Sequence, residues 1–81
     1  MKAKYIIVEC HGLEVPIVFS PILQHNDVAG QRKVFGAGFC HLGIDVNDKR
    51  CWTVHGRSIS LGINSRPEDA AILNERLETE F

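Results

Sequence analysis

The sequence predicts a single α+β domain over residues 1–81: a mainly antiparallel sheet of about four to five strands, a short helix after the first hairpin, and a C-terminal amphipathic helix packed on the sheet. Three observations carry this expectation. Two runs rich in β-branched residues, KYIIVEC and LEVPIVF, flank His11-Gly12, a candidate two-residue turn. A second pair, CWTVH and SISLGI, flanks Gly56-Arg57 with apolar and polar residues in alternation. From Asn64 onward, NSRPEDAAILNERLETEF changes to apolar residues three and four apart, the period of an amphipathic helix.

In the first hairpin, setting Cys10 opposite Leu13 puts Val8 opposite Val15, Ile6 opposite Ile17 and Lys4 opposite Phe19. That face gathers apolar side chains, and the reverse carries Tyr5, Ile7, Glu9, Glu14, Pro16 and Val18. Pro16 has no N–H for a ladder, so its strand belongs at an edge or turns that position outward. Ser20-Pro21 reads as an N-cap and first helical position for a helix over 22–29, ended by Gly30. His25 lies on this helix or in the turn after it and reads as an exposed helix-end residue. KVFGAGFCHL reads as a third strand with Gly36 and Gly38 on the side of Val34, Cys40 and Leu42. Glycines at alternate positions bare the backbone to a close approach by another element. DVNDKR has turn composition.

In the second hairpin, pairing His55 with Ser58 sets Val54 opposite Ile59, Trp52 opposite Leu61 and Arg50 opposite Ile63. One face is then apolar, and the other carries Cys51, Thr53, His55, Ser58 and Ser60. Ser65 and Glu68 fit a capping box, with Pro67 in the first turn. Ala70, Leu73, Leu77 and Phe81 form the stripe of the last helix, flanked by Ile72, with Asn74, Glu75, Glu78 and Glu80 on its wetter sides. The apolar face of the sheet is the surface expected beneath that stripe.

Composition sets limits on the whole. A chain of 81 residues with 44% hydrophobic and 23% charged side chains is an ordinary globular domain. A domain this short buries only about 60% of the surface of its unfolded chain, so burial against a partner or a second copy would add stability. Three cysteines and no signal-peptide pattern predict reduced thiols and a cytoplasmic location. No run approaches the roughly 20 apolar residues of a membrane span. Residues 1–64 carry seven basic against five acidic side chains and residues 65–81 two against five, so the net −1 divides into +2 and −3. Nothing here matches the dense basic stripe of a duplex-binding protein, so nucleic acid is not the expected partner.

Cys51 and His55 raise the question of chemistry. Both lie on one side of a strand, but four residues of extended chain separate them by about 13 Å, too far to share an ion. Cys40 and His41 are adjacent and so point to opposite faces. No paired C-x-x-C pattern accompanies them, and no metal or other cofactor is expected. A thiol or serine hydrolase using Cys51 or Ser58 with His55 is the catalytic alternative, and a metal-stabilised domain is another. No nucleophile elbow or oxyanion-forming turn supports the former. GAGFCH lacks the lysine spacing and following long helix of a phosphate loop.

The whole chain, from MKAKYIIV to SRPEDAAILNERL, resembles the small accessory proteins encoded by bacteriophages and prophages. The resemblance implies a phage protein that acts by binding, in the host cytoplasm, and in some members by occluding host proteins, including those of antiviral defence. The residues lead separately to the same expectation: a non-enzymatic protein-binding module that engages another protein or self-associates as a homo-oligomer. The candidate contact residues are Cys51, Thr53, His55, Ser58 and Ser60 on the sheet, and Glu75 and Glu78 on the acidic helix.

Overall fold

In a computed structural model, which describes residues 2–77, the chain forms β1 (Lys2–Cys10), β2 (Leu13–Phe19), α1 (His25–Ala29), β3 (Val34–Ile44), β4 (Arg50–His55), β5 (Arg57–Ser58), β6 (Ile63–Asn64) and α2 (Pro67–Arg76). Four strands pair antiparallel in the order β2-β1-β3-β4, and β5 and β6 form a separate pair. The β1–β2 register runs from Lys4 opposite Phe19 to Cys10 opposite Leu13, as the apolar pattern predicts. His11 and Gly12 both take positive φ, 53° and 80°, the requirement of a type I′ turn. Pro16 lies in an edge strand, where a missing N–H leaves no broken ladder.

Alternation along the strands builds two cores. Ala3, Tyr5 and Ile7 join Cys40, Trp52 and Leu73 on one face, beneath α2. Ile6, Val8 and Ala37 join Ala29 on the other, with Val15, Ile17, Phe19, Leu61 and Ile63 around them. Helix α2 packs on the sheet over Trp52 and Val54, the apolar side expected of that strand, and the correction concerns the first hairpin, whose Tyr5 and Ile7 side it covers. The helix covers the face of Tyr5, Ile7, Trp52 and Val54, while the face of Ile6 and Val8 takes α1 and the β5–β6 pair, because a central strand apolar at four successive positions, Tyr5 to Val8, needs cover on both sides. A register shift between Ile7 and Val8 leaves Phe35 as an extra residue in β3, since Ile7 pairs with Gly36 and Val8 with Val34. This bulge sends Phe35 to the α2 core and Val34 to the other, so Val34 does not share the side of Gly36 and Cys40.

Helix α2 is fastened across the sheet by polar contacts. Asp69 is fully buried and accepts from the Tyr5 hydroxyl at 2.6 Å, the Arg66 backbone N–H at 3.0 Å and Arg66 Nε at 2.8 Å. Arg66 reaches on to Glu14 of β2 at 2.6 Å. A Cβ on Gly36 would collide with the Asp69 carboxylate, and one on Gly38 would lie 2.6 Å from the His55 carbonyl oxygen. The two glycines thus admit close neighbours, as their alternation predicts. Near the far edge, Asn74 Oδ1 accepts from the Trp52 N–H at 2.7 Å and its Nδ2 donates to the Trp52 carbonyl at 3.1 Å. The N-cap is Arg66 and the N3 acceptor Asp69, one residue beyond the expected Ser65 and Glu68. Leu73 is buried and Leu77 packs beside it; Phe81, Glu78 and Glu80 lie outside the described residues.

Two further expectations are corrected. The hairpin of CWTVH with SISLGI does not form: β4 pairs with β3, from Phe39 opposite His55 to Ile44 opposite Arg50. Residues 57–58 pair instead with 63–64. Asp45 stabilises the β3–β4 turn by accepting from the N–H groups of Asn47 and Lys49 at 2.8 and 3.0 Å, an Asx arrangement that DVNDKR supplies. Ser20 does not begin α1; it holds a separate turn through its carbonyl and hydroxyl. Helix α1 covers only five residues, behind Gln24.

Candidate functional site

The face opposite α2 is covered unevenly, and the open part contains the candidate site. A row of cross-strand partners crosses it from β2 to β4: Phe19, Lys4, Phe39 and His55. Their common face follows from the alternation that also buries Ile6 and Val8. His25 from α1 stands edge-on to Phe19 and Phe39, with ring centroids 5.5 and 6.0 Å away. Its Nε2–H donates to the Gly38 carbonyl at 2.8 Å, since a carbonyl can only accept. The sequence suggests an exposed residue here, but His25 is buried: the two phenylalanine rings and the bared backbone at Gly38 accommodate it. His55 continues the row by stacking on Phe39 at 5.7 Å with an interplanar angle of 20°.

Between α1 and the β5–β6 turn lies a cleft of about 170 Å³, lined by Lys4, Gln24, His25, Phe39, Arg57, Ile59 and Ser60. Lys4 Nζ donates to the Leu23 carbonyl at 2.9 Å, which holds its ammonium at the cleft. Beyond His55 the same sheet face carries Thr53 and Cys51, opposite His41 and Gly43 of β3. A shallow depression there is lined by these four residues with Ile44 and Asp45. Thr53, His55 and His41 are exposed, and Cys51 is half-buried. The row through Phe39 and His55 joins the depression and the cleft into one surface.

The structure therefore brings Cys51, Thr53 and His55 together along β4, as the alternation predicts, and separates Ser58 from them. Ser58 is fully buried, and its hydroxyl accepts from the Leu61 N–H at 3.2 Å and meets Ser60 Oγ at 3.3 Å. It holds a turn and does not face His55 across a hairpin. Ser60 is exposed and lines the cleft. Glu75 is exposed on α2, and Glu78 lies outside the described residues. The Cys51 thiol is 3.7 Å from the Trp52 carbonyl and 3.7 Å from Asn74 Nδ2.

Lys4, His25, Phe39, Arg57 and Ile59 are the site residues that sequence reasoning passes over. One signal was available for Lys4: the hairpin register puts a lysine on an otherwise apolar face. Arg57 and Ile59 carried none, because their placement depends on β4 taking β3 as its partner. Among the described residues, no cluster of three or more His, Cys, Asp or Glu side chains is placed to hold a metal ion. No described helix is long and apolar enough to cross a membrane. Comparison with protein-family models, curated proteins and solved structures finds no match to this chain.

Proposed function

We propose that this domain is a protein-binding module that engages its partner through the sheet face of Cys51, Thr53 and His55 and the adjoining cleft at Ser60. The observation that carries the reading is the uneven cover of that face: one end is sealed by α1 and the β5–β6 pair, while exposed Thr53, His55 and His41 occupy the other. Exposed aliphatic side chains stand at its borders, with Ile59 84% and Ile44 70% accessible, and such borders favour protein contact over simple hydration. The sheet edges are poorer docking sites. Pro16 removes a donor from β2, and Asn74 occupies the Trp52 backbone of β4.

The resemblance to phage and prophage accessory proteins supports the same reading and suggests a host protein as the target, with antiviral defence among the processes affected. Capture from the host cytoplasm on the immobilised domain tests it. Proteins retained by wild type should be lost with Thr53→Glu or His55→Glu and kept with Glu75→Lys on α2. Retention that ignores the two sheet substitutions contradicts the assigned face. If light scattering reports a concentration-dependent mass that His55→Glu abolishes, the partner is a second copy.

A further inference from the structure

The cleft between α1 and the β5–β6 turn offers hydrogen-bond donors and positive charge without any carboxylate to balance them. Lys4 and Arg57 both line it, together with Gln24 and Ser60, and no Asp or Glu does. The Lys4 ammonium has three donor protons, and the Leu23 carbonyl accepts from it at 2.9 Å. Among the described residues, the Arg57 guanidinium makes no hydrogen bond or ion pair. A planar fork of this kind suits a carboxylate or phosphate.

Size and rim distinguish among anions. The volume of about 170 Å³ falls below the roughly 300–1,000 Å³ of ordinary small-molecule sites, so it admits a charged group on a short stem and excludes a whole nucleotide. Two cations are also too few for a nucleic-acid groove, where affinity grows with the number of phosphates neutralised. Ile59, 84% accessible, lines the opening, and Leu23, 48% accessible, directly precedes the lining residue Gln24, aliphatic surface that a peptide can cover and a sugar-phosphate chain would leave unsatisfied. The geometry points to an acidic peptide segment as the occupant: an aspartate or glutamate carboxylate of a partner protein enters between Lys4 and Arg57, with neighbouring aliphatic residues on Leu23 and Ile59. This rests on the protein-binding reading above and assigns the chemistry of its partner.

Selection of a displayed random peptide library on the intact domain tests the inference, followed by amide-shift mapping of the enriched peptides. Enriched peptides should carry Asp or Glu beside Leu, Ile or Val and shift the amides of Gln24, Phe39 and Arg57. Changing the acid to its amide should weaken binding about tenfold or more, as loss of a charge-assisted hydrogen bond implies. Arg57→Gln, at an exposed position, should do the same without moving the melting temperature, and Lys4→Met should act in the same direction. No enrichment, enrichment without an acid, or equal affinity of acid and amide overturns the inference. So does displacement of the peptide by inorganic phosphate or a single-stranded oligonucleotide at lower concentration than the peptide's own acidic competitor. Peptides that shift His41 and Thr53 but leave Gln24 and Arg57 unmoved also overturn it, while the protein-binding reading stands.

Discussion

Asp69 is the residue on which the packing of α2 most depends. Its carboxylate is fully buried and ties the Tyr5 hydroxyl to Arg66; Asp69→Ala would leave both without their shared acceptor. Leaving the buried Tyr5 hydroxyl without its acceptor costs about 1–3 kcal/mol, a large share of the roughly 5–15 kcal/mol that holds a domain folded. Urea unfolding of the variant should show that loss. Burial and, after it, the Asp69 hydrogen bond push the Tyr5 phenol above its ordinary 10.0, and burial pushes the Cys40 thiol from 9.0 up to about 11. Both groups stay protonated in the folded state where the unfolded chain has already released its protons. The stability they support is therefore intact below about pH 9. It should fall by about 1 kcal/mol per pH unit between 9 and 11 through Cys40, with Tyr5 adding its own slope above 10. Cys40→Ala should remove the first of these slopes in pH-dependent denaturant melts. None of this was legible at residue level, because Ser65 and Glu68 fit the capping pattern as well as the neighbours that make it. Burial of Asp69 depends on Gly36, distant in sequence.

At the scale of elements, the first hairpin was legible in full register because its turn and its alternation specify the same pairing. The second was misassigned for an equally local reason: Gly56-Arg57 offers a plausible turn and SISLGI alternates well. Two hairpins compete for β4, and the one with β3 joins it to the four-stranded sheet, sending Trp52 and Val54 into the α2 core. Alternation still placed Cys51, Thr53 and His55 on one side, since a strand's faces do not depend on its partner. That is why the β4 part of the candidate site survived the wrong pairing and Ser58 did not. Asn74 then completes β4 by occupying the Trp52 N–H and carbonyl. Asn74→Ala should cost about 1–2 kcal/mol through the exposed pair and free that stretch of edge for self-pairing. A lower urea midpoint together with concentration-dependent light scattering would show both effects.

For the whole molecule, two cores on opposite faces of one sheet leave an open surface only where the covering elements stop. The α+β class was legible from periods and turns, but the division of the cores was not, because apolar residues at successive positions of β1 specify burial without naming what covers each side. Charge follows the same partition: the cationic cleft of Lys4 and Arg57 lies opposite the helix that bears exposed Glu68 and Glu75. An acidic partner is therefore expected on the sheet side and repelled from the helix side, and raising salt should weaken binding, measured as an increase in Kd, since exposed charges are screened within about 10 Å at 0.1 M. The most direct test of the central claim is amide-shift mapping of the domain with a captured partner bound. The binding account predicts the largest shifts at Thr53, His55, Phe39 and Arg57, continuous across the open sheet face; shifts confined to Glu68, Glu75 and their neighbours on α2 would contradict it.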